Sequence, residues 1–344
     1  MSPDIDADVS DVSRGIMSTE PSGMSRRRFI AAGAGVAGAT GLAGCSGVLG
    51  NSASSSSKKE VTILLTPENP TEVKKDYMPM KKYLEDEISN LDITYRVPTD
   101  YSAILPALKS KQAEIGMDDI TLIAASDEME VMGTAITGGT AFYFSLMMTR
   151  KDTDIKKPAD VKGKKMAFAD ALSTSGSIYA LYELQQAGLD IGEAPGSDEG
   201  ADFQGTWSNH KAALESLING KADACSTWGG NGMPYVPTDE VPKRVREKTA
   251  YMSETGSKKP ALDVFLYSAP IPKQPVYNRA TWDDPMRDKI RQKLLDADEQ
   301  TMNKYKPDDY GGTMPFTKLK DTTVDHYQPV IKRVNELGID LTQG

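Results

Sequence analysis

Short apolar runs alternate along this chain with stretches in which apolar residues recur every three or four positions. Residues 61–65 form a short, mainly apolar run that stops at Thr66-Pro67, which predicts a strand feeding a turn. Val73, Tyr77, Met80, Leu84 and Ile88 follow at helical spacing. Residues 91–97 predict a second strand, and Asp100 is placed to cap a helix that turns Ile104, Leu105 and Leu108 inward. Residues 113–117 predict a third strand. Residues 142–149 form one strongly apolar run, and 152–158 read as a connector. A strand over 165–168 leads to a helix with Ile178, Leu181 and Leu184 on one face. Residues 190–206, rich in Gly, Pro and acids, read as a loop. A helix over 210–218 closes at Gly220, and strands are predicted over 222–227 and 264–268. The Pro-rich segment Pro270-Ile271-Pro272 and helices over 285–304 and 324–337 complete the chain. This alternation predicts an α/β fold with mixed, mainly parallel sheets and no internal repeat.

The first 59 residues do not share the pattern. Ser25-Arg26-Arg27-Arg28-Phe29-Ile30 reads as a twin-arginine export signal. An apolar run rich in Gly and Ala follows over 31–42, too short for a good membrane span. It ends in Leu42-Ala43-Gly44-Cys45, which looks like a lipobox. Residues 1–44 are therefore expected to be a lipoprotein signal with an N-terminal extension, Met24 being an alternative start. Cleavage would leave Cys45 as the lipid-bearing residue. Residues 45–59 read as a Ser-rich tether without a core. The expected product is an extracytoplasmic body, at the cell surface or in the periplasm, lipid-anchored to the cell membrane.

The 344 residues carry 40 basic and 49 acidic side chains, a net charge of −9. With no basic stripe and no interleaved aromatics, nucleic-acid binding is not expected. Cys45 and Cys225 are the only cysteines. A lipid on Cys45 leaves no pair for an intrachain disulfide, and Cys225 reads as a small buried hydrophobe. His210 and His326 stand far apart and there is no CxxC pair, so no metal or other cofactor is expected.

The chemistry concentrates in residues 167–188, where a strand runs through Asp170 into Ser173-Thr174-Ser175-Gly176 and then a helix. The first turn of a helix has unpaired N–H groups and a partial positive charge. Hydroxyls add donors, and Gly176 lets the backbone come close to an anion. The competing reading is that Ser173 or Ser175 is only an N-cap.

Four ordered segments resemble one family. They are Asp100-Tyr101-Ser102-Ala103; Lys162-Gly163-Lys164 through Ser173-Thr174-Ser175-Gly176; Asn209-His210-Lys211-Ala212-Ala213 with Gly220-Lys221-Ala222-Asp223-Ala224; and Ser268-Ala269-Pro270-Ile271-Pro272 with Pro275. Together they resemble the phosphate/phosphonate-type substrate-binding proteins of ABC importers. The resemblance implies a two-lobed periplasmic-binding-protein-like type II fold whose sheets are joined by two hinge strands. Lobe I would be 60–148 and 269–344, lobe II 149–268, with crossings near 147–151 and 264–268. It implies capture of a small phosphorus oxyanion (phosphonate, phosphite or phosphate), partnership with a permease and ATPase, a monomer, and no catalysis. Ser173, Thr174, Ser175 and Gly176 would hold the anion, with His210 beside them and Tyr101 donating from the other lobe. Thr66, Pro67 and Glu68 would form an opening loop, and Asp223 would brace a strand end.

Two departures bear on the ligand. Family members that take aminoalkyl phosphonates place an acid where this chain reads Ser226-Thr227-Trp228-Gly229-Gly230-Asn231-Gly232, so Trp228 would give a neutral, aromatic wall. A family aromatic is replaced by Asp118-Asp119. Both changes favour an anion without a cationic tail. Two other readings stay open: a Ser/His hydrolase, and a sensor-type binding protein of the same fold. The hydrolase lacks a G-x-S-x-G elbow and an acid clearly placed to orient His210.

Overall fold

The computed structural model describes residues 58–117 and 120–339, Ser126 by its backbone alone. The twin-arginine motif, Cys45, most of the tether, and Asp118 and Asp119 lie outside the described residues.

In chain order the elements are β1 (Lys59–Leu64), α1 (Pro70–Asp76), α2 (Met78–Glu87), β2 (Leu91–Arg96), α3 (Ile104–Lys109), β3 (Ile115–Met117), β4 (Met129–Ile136), β5 (Phe142–Tyr143), β6 (Ser145–Arg150) and β7 (Lys165–Phe168). Next come α4 (Tyr179–Gln186), β8 (Gln204–Trp207), α5 (His210–Ile218), β9 (Ala224–Trp228), and two single turns, α6 (Gly229–Gly232) and α7 (Lys243–Arg246). The chain continues through β10 (Leu262–Tyr267), β11 (Ile271–Pro272), β12 (Pro275–Arg279), α8 (Pro285–Asp296), α9 (Glu299–Lys304), β13 (Lys318–Lys320) and α10 (Gln328–Glu336).

The strands form a six-stranded sheet, β13-β4-β12-β3-β1-β2, and a five-stranded sheet, β10-β6-β9-β7-β8. Each carries helices, and each buries its own core. Val61 and Ile63 of β1 pack with Leu84 of α2 and Ile290 of α8 in the first lobe. Met148 and Cys225 pack with Leu214 and Leu217 of α5 in the second. On the far face of that second sheet, Met166 and Phe168 pack with Leu181 and Leu184 of α4. Cys225 is fully buried, and its apolar surroundings push its thiol pKa up.

Both sheets are mixed, and the expected predominance of parallel pairing is confined to one half of each. β1 pairs parallel with β2 and β3, and β7 pairs parallel with β8 and β9. β12, β4 and β13 pair antiparallel, as do β10, β6 and β9. The antiparallel half arises because the chain leaves one sheet and returns to it through the hinge.

The crossings also lie nearer the first lobe than expected. The apolar run 142–149 breaks at Phe144 into β5 and β6. β5 pairs antiparallel with β11, Ile271 opposite Tyr143, and these two short strands join the lobes. The crossings were expected near 147–151 and 264–268, but Met147–Arg150 and Leu262–Leu266 pair with each other inside the second sheet. Ser145–Met148 thus belong to the second lobe rather than to lobe I.

Candidate functional site

Because β1, β2 and β3 run parallel, their carboxyl ends share one edge, and so do those of β7, β8 and β9. Ligands of open α/β sheets bind at such edges. From the first edge come Thr66, Glu68, Tyr101 and Ile120; from the second come Ser173, Thr174, Ser175, His210 and Trp228. All of them line a single cavity of about 380 Å³. Six of the seven ligand residues expected from sequence, Tyr101, Ser173, Thr174, Ser175, His210 and Trp228, therefore meet at one place. The seventh, Gly176, sits directly behind them.

The turn is wider than an ordinary helix start. After β7 the chain makes a π-type turn over Thr174–Ile178 before α4 begins, with the Tyr179 amide donating to the Thr174 carbonyl. Ser173 caps it: its Oγ accepts from the Gly176 amide at 3.1 Å. The N-cap reading is therefore correct as geometry. It does not compete with an anion role, since the amides of Thr174 and Ser175 still precede the first possible internal acceptor. The turn is also pinned from below. Ser145 Oγ and Ser226 Oγ both donate to the Ser175 carbonyl, at 2.5 and 3.1 Å. A Cβ at Gly176 would stand 2.2 Å from the Ala169 Cβ and 2.9 Å from His210 Cε1, so only glycine fits.

His210 begins α5, which Asn209 caps through the Ala212 amide. Its Nε2 lies 3.2 Å from Ser173 Oγ and its Nδ1 3.1 Å from Thr227 Oγ1. Asn231 donates to Thr227 Oγ1 at 3.0 Å and to the His210 carbonyl at 2.9 Å. Burial lowers the His210 pKa to about 4, so the ring is neutral at pH 7. A neutral imidazole has one donor and one acceptor. When Thr227 donates to Nδ1, Nε2–H donates to Ser173 Oγ, which already accepts from Gly176. The Ser173 hydrogen is then free to point at an anion.

Three hydrogen bonds tie the lobes together beside the turn. Thr121, following β3, donates from its hydroxyl to the Leu172 carbonyl at 2.7 Å and lies 2.8 Å from Thr174 Oγ1. The Asp170 carboxylate accepts from the Tyr101 amide, while burial raises its pKa. Ile178 and Tyr179 pack into the first lobe's core against Tyr101 and Val334, and the Arg333 guanidinium lies 4.3 Å over the Tyr179 ring. The Tyr101 ring is thus both core packing and cavity wall. Asp223 braces a strand end, accepting from the Lys165 amide at 2.9 Å.

The aromatic wall continues from Trp228 to Tyr251, whose ring meets it edge-on at 5.3 Å. Beyond Tyr251 stands Lys273, which the sequence reading did not single out. Its residue is 2 % exposed, its Nζ lies 5.4 Å from the Tyr251 ring centroid, and it lines the cavity. Thr121, Thr227 and Asn231 were also missed. Each is an ordinary polar residue whose role comes from a partner far away in sequence. Acids reach the cavity from elements other than 226–232: Asp76 is half-buried, while Glu68 and Glu254 are exposed at its rim. Among the described residues no cluster of three His, Cys, Asp or Glu could hold a metal.

Two sheet-and-helix lobes joined by paired crossing strands, with a polar cavity at their carboxyl edges, define the two-lobed periplasmic-binding-protein architecture of type II. Solved structures share it. A binding protein component of an ABC phosphonate transporter from Pseudomonas aeruginosa aligns with TM-score 0.60 and 17% identity, over 80% of this chain and 85% of that one. PhnD1 from Prochlorococcus marinus (MIT 9301), solved with methylphosphonate, aligns with TM-score 0.61 and 14% identity, over 81% and 98%. A family profile described as "ABC transporter, phosphonate, periplasmic substrate-binding protein" matches residues 63–324, and the chain belongs to that family. The phosphate-import protein PhnD of Mycolicibacterium smegmatis (strain ATCC 700084 / mc(2)155) is 25% identical over 173 residues, 48% of this chain. The chain spans about half the length of that curated relative, 53%.

Proposed function

We propose that this protein is the extracytoplasmic solute-binding component of an ABC importer and closes its two lobes on a small phosphorus oxyanion, a phosphonate, phosphite or phosphate. The observation that carries this reading is the Ser173–Gly176 turn. Hydroxyls and helix-start amides converge there with a neutral His210 on one cavity that both lobes line. Tyr101, Ser173, Thr174, Ser175, Gly176, His210 and Trp228 form the ligand site. Residues before and after the hinge pair make lobe I, the segment between them lobe II. Hinge closure follows because ligand contacts both edges at once. Permease and ATPase partners, a monomeric state, and a lipid anchor at Cys45 after twin-arginine export complete the proposal.

The Ser173–His210 pair also fits the hydrolase reading, and two features weigh against it. A ring with a pKa of about 4 is a poor general base at neutral pH. Its Nδ1 partner is Thr227 rather than a carboxylate. The sensor-type reading uses the same site and differs only in the partner. A thermal-shift screen of phosphate, phosphite, methylphosphonate and sulfate tests the function. A ligand at one hundred times its Kd raises stability by about 2.7 kcal/mol. No shift with any phosphorus anion refutes the proposal, and turnover of a nitrophenyl ester that is lost in Ser173→Ala would move the site to the hydrolase class.

A further inference from the structure

Lys273 follows β11 on the second crossing strand, where its amide donates to the Ala141 carbonyl at 2.8 Å. It is the residue of the cavity whose chemistry the oxyanion turn leaves unexplained. Its side chain has no ion pair or hydrogen bond among the described residues, and it is 2 % exposed. The Tyr251 face accompanies the ammonium, but a ring attracts a cation without neutralising it. Desolvation alone acts on the ammonium and lowers its pKa to about 8. Lys273 lines the cavity and has little other contact with solvent, and an ammonium so poorly solvated is normally paired. Here the counter-ion has to come from the cavity.

The turn does not need Lys273. Ser173, Thr174 and Ser175 lie on the second lobe's edge, whereas Lys273 follows β11 at the hinge and meets the Tyr251 ring, which in turn meets Trp228 and, through it, His210. A space of about 380 Å³ falls in the range of sites that take a small organic molecule. Glu68 and Glu254 line the same space from its exposed rim, where water screens them. Asp76 is tied to the Thr313 amide at 2.7 Å. Burial makes Lys273 the charge that a ligand inside the cavity meets.

We propose that Lys273 is a second anion-pairing group, and that the ligand is a phosphorus oxyanion bearing a further anionic group, such as a carboxylate, that pairs with it at the hinge end of the cavity. This rests on the phosphorus-oxyanion reading of the turn. Titration calorimetry on the full chain tests it with methylphosphonate, phosphonoacetate and 3-phosphonopropionate. Wild type should bind one carboxylated phosphonate at least about tenfold tighter than methylphosphonate. Lys273→Met should erase that margin while methylphosphonate stays within about threefold, and Lys273→Arg should restore part of it. Without ligand, Lys273→Met should melt at or above the wild-type temperature. The proposal is overturned if wild type shows no margin, if Lys273→Met keeps it, or if methylphosphonate falls as far as the carboxylated ligands. Loss of folding in both Lys273→Met and Lys273→Gln would make Lys273 structural and overturn it too. Failure of wild type to bind any of the three would overturn this proposal, while phosphate and phosphite in the thermal-shift screen decide the phosphorus-oxyanion reading separately.

Discussion

At the head of the Ser173 turn, Ser173, Thr174 and His210 have hydrogen-bond partners before any ligand arrives; at the hinge, the Lys273 side chain has none among the described residues. The two ends of one cavity thus hold donors in opposite ways. Neutral donors can be oriented in advance at little cost, because each finds a protein partner in the empty state. An ammonium with little access to water is costly without a counter-charge, so its empty state is destabilised until an anion enters. The first arrangement sets the geometry of recognition. The second penalises ligands that bring no counter-charge, which is a specificity device. Aminoethylphosphonate would place a second ammonium in a space that already holds an unpaired one. Under this proposal a cationic tail is disfavoured at Lys273, whereas the sequence placed that discrimination in the missing acid between Ser226 and Gly232.

The largest expected effect breaks the pre-wired end. Gly176→Val pushes a branched side chain into the 2.2 Å gap to Ala169 and against His210. Ligand binding should fall by at least about a hundredfold, and overpacking should cost roughly 1–3 kcal/mol of stability. Calorimetry and urea unfolding check both, and near wild-type affinity would show that the turn is not where the anion sits.

The next effect concerns proton state. The folded His210 pKa of about 4 lies below its ordinary 6.5. Between these values the unfolded chain binds the extra proton, so His210 costs stability as pH falls from about 6.5 to about 4. The whole effect is on the order of 3 kcal/mol. Melting of wild type and His210→Gln should therefore converge as pH drops through that window. Ligand affinity should show no step from His210 between pH 6 and 8. A wild-type affinity that climbs as pH falls through 7, with the climb absent in His210→Gln, would mean that the bound ring is protonated and that the neutral end is charged after all.

How legible each end was in the sequence follows from where its signal lives. The turn is local: a strand, three hydroxyls, a glycine and an amphipathic helix lie within about twenty residues, and chain order alone brings them together. Lys273 lies inside a Pro-rich block that the sequence reading noted, yet nothing nearby marks it as buried. Its burial needs the two crossing strands to pair and Tyr251 to fold over it. The same distinction holds for the fold. β1, β2 and β7 announce themselves as apolar runs followed by helices. β4 went unread: Gly133 interrupts its pattern, and a Cβ there would meet the Leu319 side chain at 2.7 Å. β8 is an edge strand of alternating intermediate and exposed residues behind a Gly- and acid-rich stretch, so it reads as loop. The run 142–149 gave one strand where there are two, because periodicity does not show when a chain changes sheets.

A smaller effect sharpens the comparison within the turn. Ser175→Ala removes a hydroxyl at the cavity without disturbing the bonds to the Ser175 carbonyl, which belong to the backbone. If that hydroxyl donates to the anion, affinity should drop by roughly 1.5–3 kcal/mol, the scale of a hydrogen bond to a charged group. Unchanged affinity on calorimetry would leave the amides as the donors. Thr174→Ala should cost a similar amount, but for a mixed reason.

That mixture leads to the smallest and most discriminating effect. Thr121 and Thr174 have one hydroxyl hydrogen each, and three oxygens are in play: theirs and the Leu172 carbonyl. As Thr121 donates to Leu172, Thr174 is left to donate to Thr121, and its hydrogen is then lost to the anion. If ligand binding turns Thr121 to donate to Thr174 instead, the Thr174 hydrogen becomes free for the anion and Leu172 gives up a donor. Thr121→Val deletes both options. It frees Thr174 for the ligand while cutting a tie between lobes, so the two consequences oppose each other. The net change in affinity should stay below about tenfold. The two positions should nevertheless be coupled: a cycle of Thr121→Val, Thr174→Ala and the double variant should show an interaction energy of at least about 0.5 kcal/mol. Additivity within about 0.3 kcal/mol would mean that the hydroxyls act independently. The anion would then be held by a turn that owes nothing to the opposite lobe, and closure would have to draw its ligand dependence from Tyr101 and Lys273.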